Sequence, residues 1–86
     1  MKTAIEVGDL ALLLHEDNED RHRDYYILWD RWDDSMENLS HVGMMSPGDL
    51  CIVLDLYLRS QPFGAKIVAS SGLVGWMNGT LLKKIS

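Results

Sequence analysis

The chain has 86 residues, which is one domain's worth and too few for two independent cores. Hydrophobic residues at 47% and charged residues at 24% make an ordinary globular composition and exclude a disordered chain. A net charge of −5 argues against a general nucleic-acid binder, which turns a broad basic face towards phosphates, and leaves open a contact by the short basic end.

Residues 7–15, Val-Gly-Asp-Leu-Ala-Leu-Leu-Leu-His, read as a strand launched from a Gly-Asp turn. Leucine is a good helix former, but the run is short and closed off by turn residues. Residues 16–23, Glu-Asp-Asn-Glu-Asp-Arg-His-Arg, have nothing apolar to bury and form a solvated loop. Residues 24–30, Asp-Tyr-Tyr-Ile-Leu-Trp-Asp, give the strongest strand signal, because aromatic and β-branched groups suit a half-buried pleat. Tyr26 and Leu28 share one face there, Tyr25, Ile27 and Trp29 the other, and one of the two sets is core. Residues 31–46 are expected to be a long loop, with a short helical turn around residues 35–39 as the alternative.

Ser46-Pro47-Gly48-Asp49 is a firm turn and opens a long strand over residues 50–58. Pro62 and Gly64 shape the hairpin loop that follows. A strand over 65–70, a Ser71-Gly72 turn, a strand over 73–77 and a tight Asn78-Gly79 turn lead to the closing segment 80–85. Five or six short antiparallel strands with no long helical period predict an all-β domain spanning residues 1–86. A small barrel is favoured, since closure pairs away exposed edges.

The longest apolar runs, residues 10–14 and 50–54, fall far short of the ~20 residues that span a bilayer. Glu6 and Asp9 interrupt any signal-like start, so the expectation is a cytoplasmic protein with no membrane contact. Cys51 is the single cysteine, which leaves no internal disulfide framework and suits a buried thiol acting as a small apolar group. Charge is unevenly distributed. All 13 acids lie in residues 1–55, with Lys2, Arg21, Arg23 and Arg31 against them, whereas residues 56–86 hold Arg59, Lys66, Lys83 and Lys84 and no acid. A two-signed molecule of this kind can pair with copies of itself. Val7-Gly8-Asp9-Leu10 is echoed by Pro47-Gly48-Asp49-Leu50, and the two segments read as similar strand starts inside one barrel.

Residues 47–86 carry a resemblance. Pro-Gly-Asp-Leu, Ile-Val-Leu, a hairpin, Lys-Ile-Val-Ala-Ser-Ser-Gly, Val-Gly-Trp-Met and Leu-Leu-Lys-Lys-Ile resemble SH3-like barrels, most of all the small SH3-like proteins of tailed phages, including those of marine cyanobacteria. The resemblance implies a Gly-Asp turn opening a strand, a Gly-Trp pair in a late strand, and a short turn before the closing strand. It also implies a phage-encoded protein, placed in the host cytoplasm or the virion. Gly75 would bend the backbone and Trp76 would plug the core. The pattern departs from peptide-binding SH3 domains, since Trp76 is followed by Met77 and not by a second aromatic.

Few residues point to chemistry. His15, His22 and His41 are possible metal ligands, but residues 16–20 are out of phase for a calcium loop and lack its glycine, so no metal or cofactor is expected. Asp30, Asp33, Asp34 and Glu37 near Trp32 read as surface acids, not as an acid–base pair, and no enzyme is expected. Tyr25, Trp29, Trp32, Met36, Met44 and Met45 belong to residue types enriched in protein interfaces. The expected function is therefore a non-enzymatic interaction or assembly module that binds a protein partner or itself through those six residues. The alternative is a nucleic-acid-associated module with Lys66, Lys83 and Lys84 as phosphate contacts and aromatics stacking on bases.

Overall fold

The computed structural model describes residues 5–14 and 25–85. Its elements are β1 (Leu10–Leu13), β2 (Tyr26–Trp29), β3 (His41–Met45), β4 (Leu50–Tyr57), β5 (Gly64–Ala69), β6 (Val74–Asn78), a 3-10 turn (Gly79–Leu81) and β7 (Leu82–Lys84). All seven strands lie in one sheet, in the order β3-β2-β6-β5-β4-β1-β7, and every neighbouring pair is antiparallel. Alternation along each strand sends one set of side chains inwards. Ala11, Leu28, Ala65 and Ile67 are fully buried there, with Ile5, Leu13, Met45, Val53 and Met77 at 2% exposure or less.

The two Gly-Asp segments form the same turn. Gly8 and Gly48 have φ of +93° and +94°, a region open to glycine without steric cost. The Asp9 carboxylate accepts from the Glu6 N–H at 2.7 Å, and Asp49 accepts from Ser46 at 2.9 Å. Each turn then docks on the opposite strand. The Gly8 N–H donates to the Val53 carbonyl at 2.7 Å and the Val53 N–H to the Asp9 carbonyl at 3.0 Å, while Gly48 donates to Leu13 at 2.8 Å and Leu13 to Asp49 at 3.0 Å. Between the turns Leu10 faces Ile52, Ala11 faces Cys51 and Leu12 faces Leu50. The seam between β1 and β4 therefore has a local pseudo-two-fold through the Ala11–Cys51 pair.

A second echo lies in β3 and β6. Val42-Gly43-Met44-Met45 repeats as Val74-Gly75-Trp76-Met77. Gly43 stands opposite Leu28 as Gly75 stands opposite Ile67, and Met45 opposite Tyr26 as Met77 opposite Ala65. Both glycines permit close packing. A Cβ on Gly43 would lie 2.8 Å from Leu73 Cδ1, and one on Gly75 would lie 2.8 Å from Leu28 Cβ and 2.9 Å from Val42 Cγ2.

Several expectations need correcting. The described residues hold seven strands, not five or six, because β3 occupies part of the segment expected to be loop. Residues 35–39 form no helical turn; the chain reverses there through positive φ at Met36 (52°) and Asn38 (57°). Asn78-Gly79 is not a tight hairpin turn. Asn78 caps the 3-10 turn, its side chain accepting from the Thr80 N–H at 3.0 Å. Trp76 is not the core plug: Gly75 and Met77 point inwards, and period two puts Trp76 on the other face. The sheet is also not closed, since its terminal strands β3 and β7 are not paired to each other. The β7 edge is three residues long with two lysines, a short charged edge that discourages further pairing.

Candidate interaction face

The inward set on β2 is Tyr26 and Leu28, so Ile27 and Trp29 fall on the outer face of the sheet. Register then builds a row along that face. Asp55 pairs with Lys66, Lys66 with Trp76, and Trp76 with Trp29. Directly opposed side chains sit about 5 Å apart, so the two indoles are neighbours and Lys66 flanks them. In the next row Gly64 lies between Tyr57 and Asn78. Gly64 has no side chain, and the Trp32 indole fills the space where a Cβ would stand. Trp32 Nε1 donates to Ser60 Oγ at 2.9 Å, and Ser60 Oγ donates to the Pro62 carbonyl at 2.9 Å. All three tryptophans are thus half-buried on the outside of β2, β6 and β5, and none is in the core.

The loop that delivers Trp32, residues 30–40, is tied down by its own polar groups. Asp30 and Ser40 close its base, with the Asp30 N–H donating to the Ser40 carbonyl at 3.0 Å and the Ser40 N–H to Asp30 Oδ1 at 2.9 Å. Arg31 Nε donates to Asp33 Oδ2 at 2.8 Å, and the same guanidinium donates to the carbonyls of Glu37 and Asn38. Asp33 Oδ1 accepts from the Met36 N–H at 2.8 Å and from the Ser35 N–H and hydroxyl. The Arg31 hydrogen bond, with those from Met36 and Ser35, holds the Asp33 carboxyl down at about 2 and raises Arg31 in turn. The Tyr57 hydroxyl donates to Asp34 Oδ1 at 2.8 Å, and that bond raises its pKa. The carboxylates of Asp30, Asp33 and Asp34 are therefore engaged in fixing the loop.

The six expected interface residues are only partly brought together. Tyr25 is 53% exposed and Met44, opposite Ile27, is 50% exposed. Trp29, Trp32 and Met36 are half-buried. Met45 is 2% exposed and belongs to the core, because one step along β3 from Met44 turns the side chain inwards. Sequence reasoning missed Trp76, Lys66 and Tyr57 as members of this face. The signal was available for Trp76, since a strand that buries Met77 must turn its neighbour outwards.

No protein-family model matches the chain, and neither a curated protein nor a solved structure matches it. The face has to be read on its own chemistry. Lys66, Lys83 and Lys84 do not converge: β4 and β1 stand between β5 and β7, a separation of about 14 Å, and Lys84 Nζ lies 3.6 Å from Asp9 Oδ1. Among the described residues no three His, Cys, Asp or Glu side chains are placed to hold a metal ion. His15, His22 and residues 16–20 lie outside the described residues, and His41 is exposed on β3. No helix among the described residues is long and apolar enough to cross a membrane.

Proposed function

We propose that this domain is a non-enzymatic protein-interaction module that binds its partner on the outer aromatic zone, with Trp29, Trp32 and Trp76 at its centre and Tyr25, Met36 and Met44 around them. One observation carries the reading. Tryptophan carries a large apolar surface with one polar N–H, yet a thin core filled by aliphatics and methionines leaves all three half-buried on the outer face. Trp32 is fixed by a glycine slot and a hydrogen bond, so the zone is held ready before anything binds, which lowers the ordering cost of association. Indoles beside Lys66 suit a protein segment with apolar side chains and a carboxylate.

Support for an SH3-like barrel comes from the antiparallel run β7-β1-β4-β5-β6 and the 3-10 turn before the closing strand. On that reading the β2–β3 hairpin is an addition, and the resemblance to tailed-phage proteins makes a virion or host protein the partner.

The test is affinity capture from a host lysate, comparing the wild type with a Trp29→Ser, Met44→Ser variant checked for folding by circular dichroism. A partner that binds the first and not the second supports the reading. Equal capture by both would sink it. Salt-sensitive binding of a single-stranded oligonucleotide, lost in a variant with Lys66, Lys83 and Lys84 changed to Gln, would replace it with the nucleic-acid alternative.

A further inference from the structure

The closing turn holds a chemistry that the interaction reading does not use. Asn78-Gly79 is the only Asn-Gly pair in the chain. In such a pair the glycine has no side chain to keep its backbone nitrogen away from the carbonyl carbon of the asparagine side chain. The Gly79 nitrogen can attack Asn78 Cγ, losing its proton to water, expelling the side-chain nitrogen as ammonia and closing a cyclic succinimide. Water then opens the ring at either carbonyl, which gives aspartate or isoaspartate. In isoaspartate the main chain runs through the side-chain carbons and is one methylene longer.

The fold keeps both reacting groups from this step. Asn78 ends β6, and its Oδ1 accepts from the Thr80 N–H at 3.0 Å and from Thr80 Oγ1 at 2.6 Å. The Gly79 N–H donates to the Phe63 carbonyl at 2.9 Å. Gly79 is buried, with the Phe63 ring where a Cβ would stand. Attack therefore requires Asn78 to leave Thr80 and Gly79 to leave Phe63. Those contacts carry the chain from β6 into β7, so one opening frees nucleophile and electrophile together. The turn is also fixed on both sides. Asn78 pairs with Gly64 before it, and after it the Leu81 carbonyl accepts from the Leu14 N–H at 2.9 Å and Leu82 is buried in the core. An added methylene between those anchors breaks the register.

We propose that Asn78 is a self-modification site gated by the closing turn: deamidation proceeds from the opened turn, and isoaspartate formed there keeps β7 from docking again on β1. Since β7 is the short, lysine-bearing strand that covers β1, the modification turns a transient opening into a lasting exposed edge. The Thr80 hydroxyl guards the site by holding the Asn78 carbonyl. The proposal does not depend on the reading given for the aromatic zone.

Peptide mapping by mass spectrometry, on the full chain held in mildly alkaline buffer beside a synthetic peptide of residues 74–82, tests it. The peptide sets the rate of an unprotected pair, and the folded chain reacts at that rate scaled by the fraction of time the turn is open. The chain is expected to deamidate at Asn78 at least about tenfold more slowly than the peptide. Thr80→Val removes the hydroxyl at an exposed position and should raise the rate about two- to tenfold, the worth of one hydrogen bond. Equal rates for chain and peptide overturn the proposal, as do equal rates for the wild type and Thr80→Val. The isoaspartate form, separated by chromatography, should lose the native amide signals of β7 while keeping those of Val53 and Ile67. An isoaspartate form with native β7 signals overturns the second half. Asn78→Asp adds the charge without the methylene and is expected to keep β7 docked; loss of β7 in that variant overturns the assignment to chain length.

Discussion

On the outer face, β1 and β4 carry an aliphatic zone beside the aromatic one, and the two are built by different means. The aliphatic zone follows from strand alternation alone. In β4, Cys51 and Val53 point inwards, so Leu50 and Ile52 must point outwards, and neighbours in register complete the rows. It holds no polar anchor. The aromatic zone depends on two local devices, a glycine at position 64 that makes room for an indole and a set of hydrogen bonds that aims the loop carrying it. The first zone has area without direction. The second has direction, because Trp32 occupies one place and its N–H one partner. A sheet can therefore carry an unanchored apolar zone and a fixed aromatic one on the same surface, and the difference lies in polar fixation, not in hydrophobicity.

A cavity beneath both zones should damage both. Ile67 is fully buried and paired with Val53 and Gly75. Ile67→Ala should cost about 2–5 kcal/mol in urea unfolding and lower the midpoint for aliphatic and aromatic probes together. Gly64→Ala separates them. The added methyl meets the Trp32 ring, so a loss of about 1–3 kcal/mol is expected, with indole fluorescence shifted to the red and the strand amides of β1 and β4 unmoved. An unshifted Trp32 signal in that variant would show that the glycine is not what seats the ring. Trp32→Phe keeps the ring in its slot and removes the Nε1 donor to Ser60, at about 0.5–1.5 kcal/mol by the same unfolding assay.

The smallest effect is in pH. The Asp33 carboxyl is held at about 2 by Arg31, Met36 and Ser35, below its unfolded value. Its contribution is therefore complete above the unfolded pKa and is lost as pH falls through about 2. Carboxyl-carbon NMR should show Asp33 titrating with a midpoint near 2, with the loop amides holding their shifts until that point. A midpoint near the ordinary value would mean that Arg31 does not hold the carboxylate in solution.

The strands of residues 50–77 were legible because each has a clear alternation closed by a turn of known chemistry. The parity of residues 25–29 was legible too, but not its sense. Alternation separates Tyr26 and Leu28 from Tyr25, Ile27 and Trp29 without saying which side is wet, and the inside place of Leu28 rests on Gly75, where a Cβ would lie 2.8 Å from Leu28 Cβ. The strand β3 was hidden because His41-Val42-Gly43-Met44-Met45 has a central glycine, two methionines and few β-branched residues. Its likeness to Val74-Gly75-Trp76-Met77 was the signal that could have found it. Size misled at Trp76, where a large aromatic suggested a core plug although Met77 fills that place. Nothing local could place Trp32, since its glycine lies thirty-two positions further along the chain.

Cys51 sits at the midpoint of the seam between β1 and β4, opposite Ala11, at 2% exposure and with its thiol pushed up to about 11 by burial. A thiolate is the reactive form, so a labelling reagent can reach and modify this sulfur only when the seam parts. The rate at which an aromatic disulfide labels the protein, followed by absorbance against denaturant concentration, thus measures the opening free energy of one seam at one residue. If labelling proceeds only with global unfolding, the two Gly-Asp turns hold as the last structure to separate. If it proceeds below the unfolding transition, the pseudo-symmetric seam is the line along which the molecule first divides.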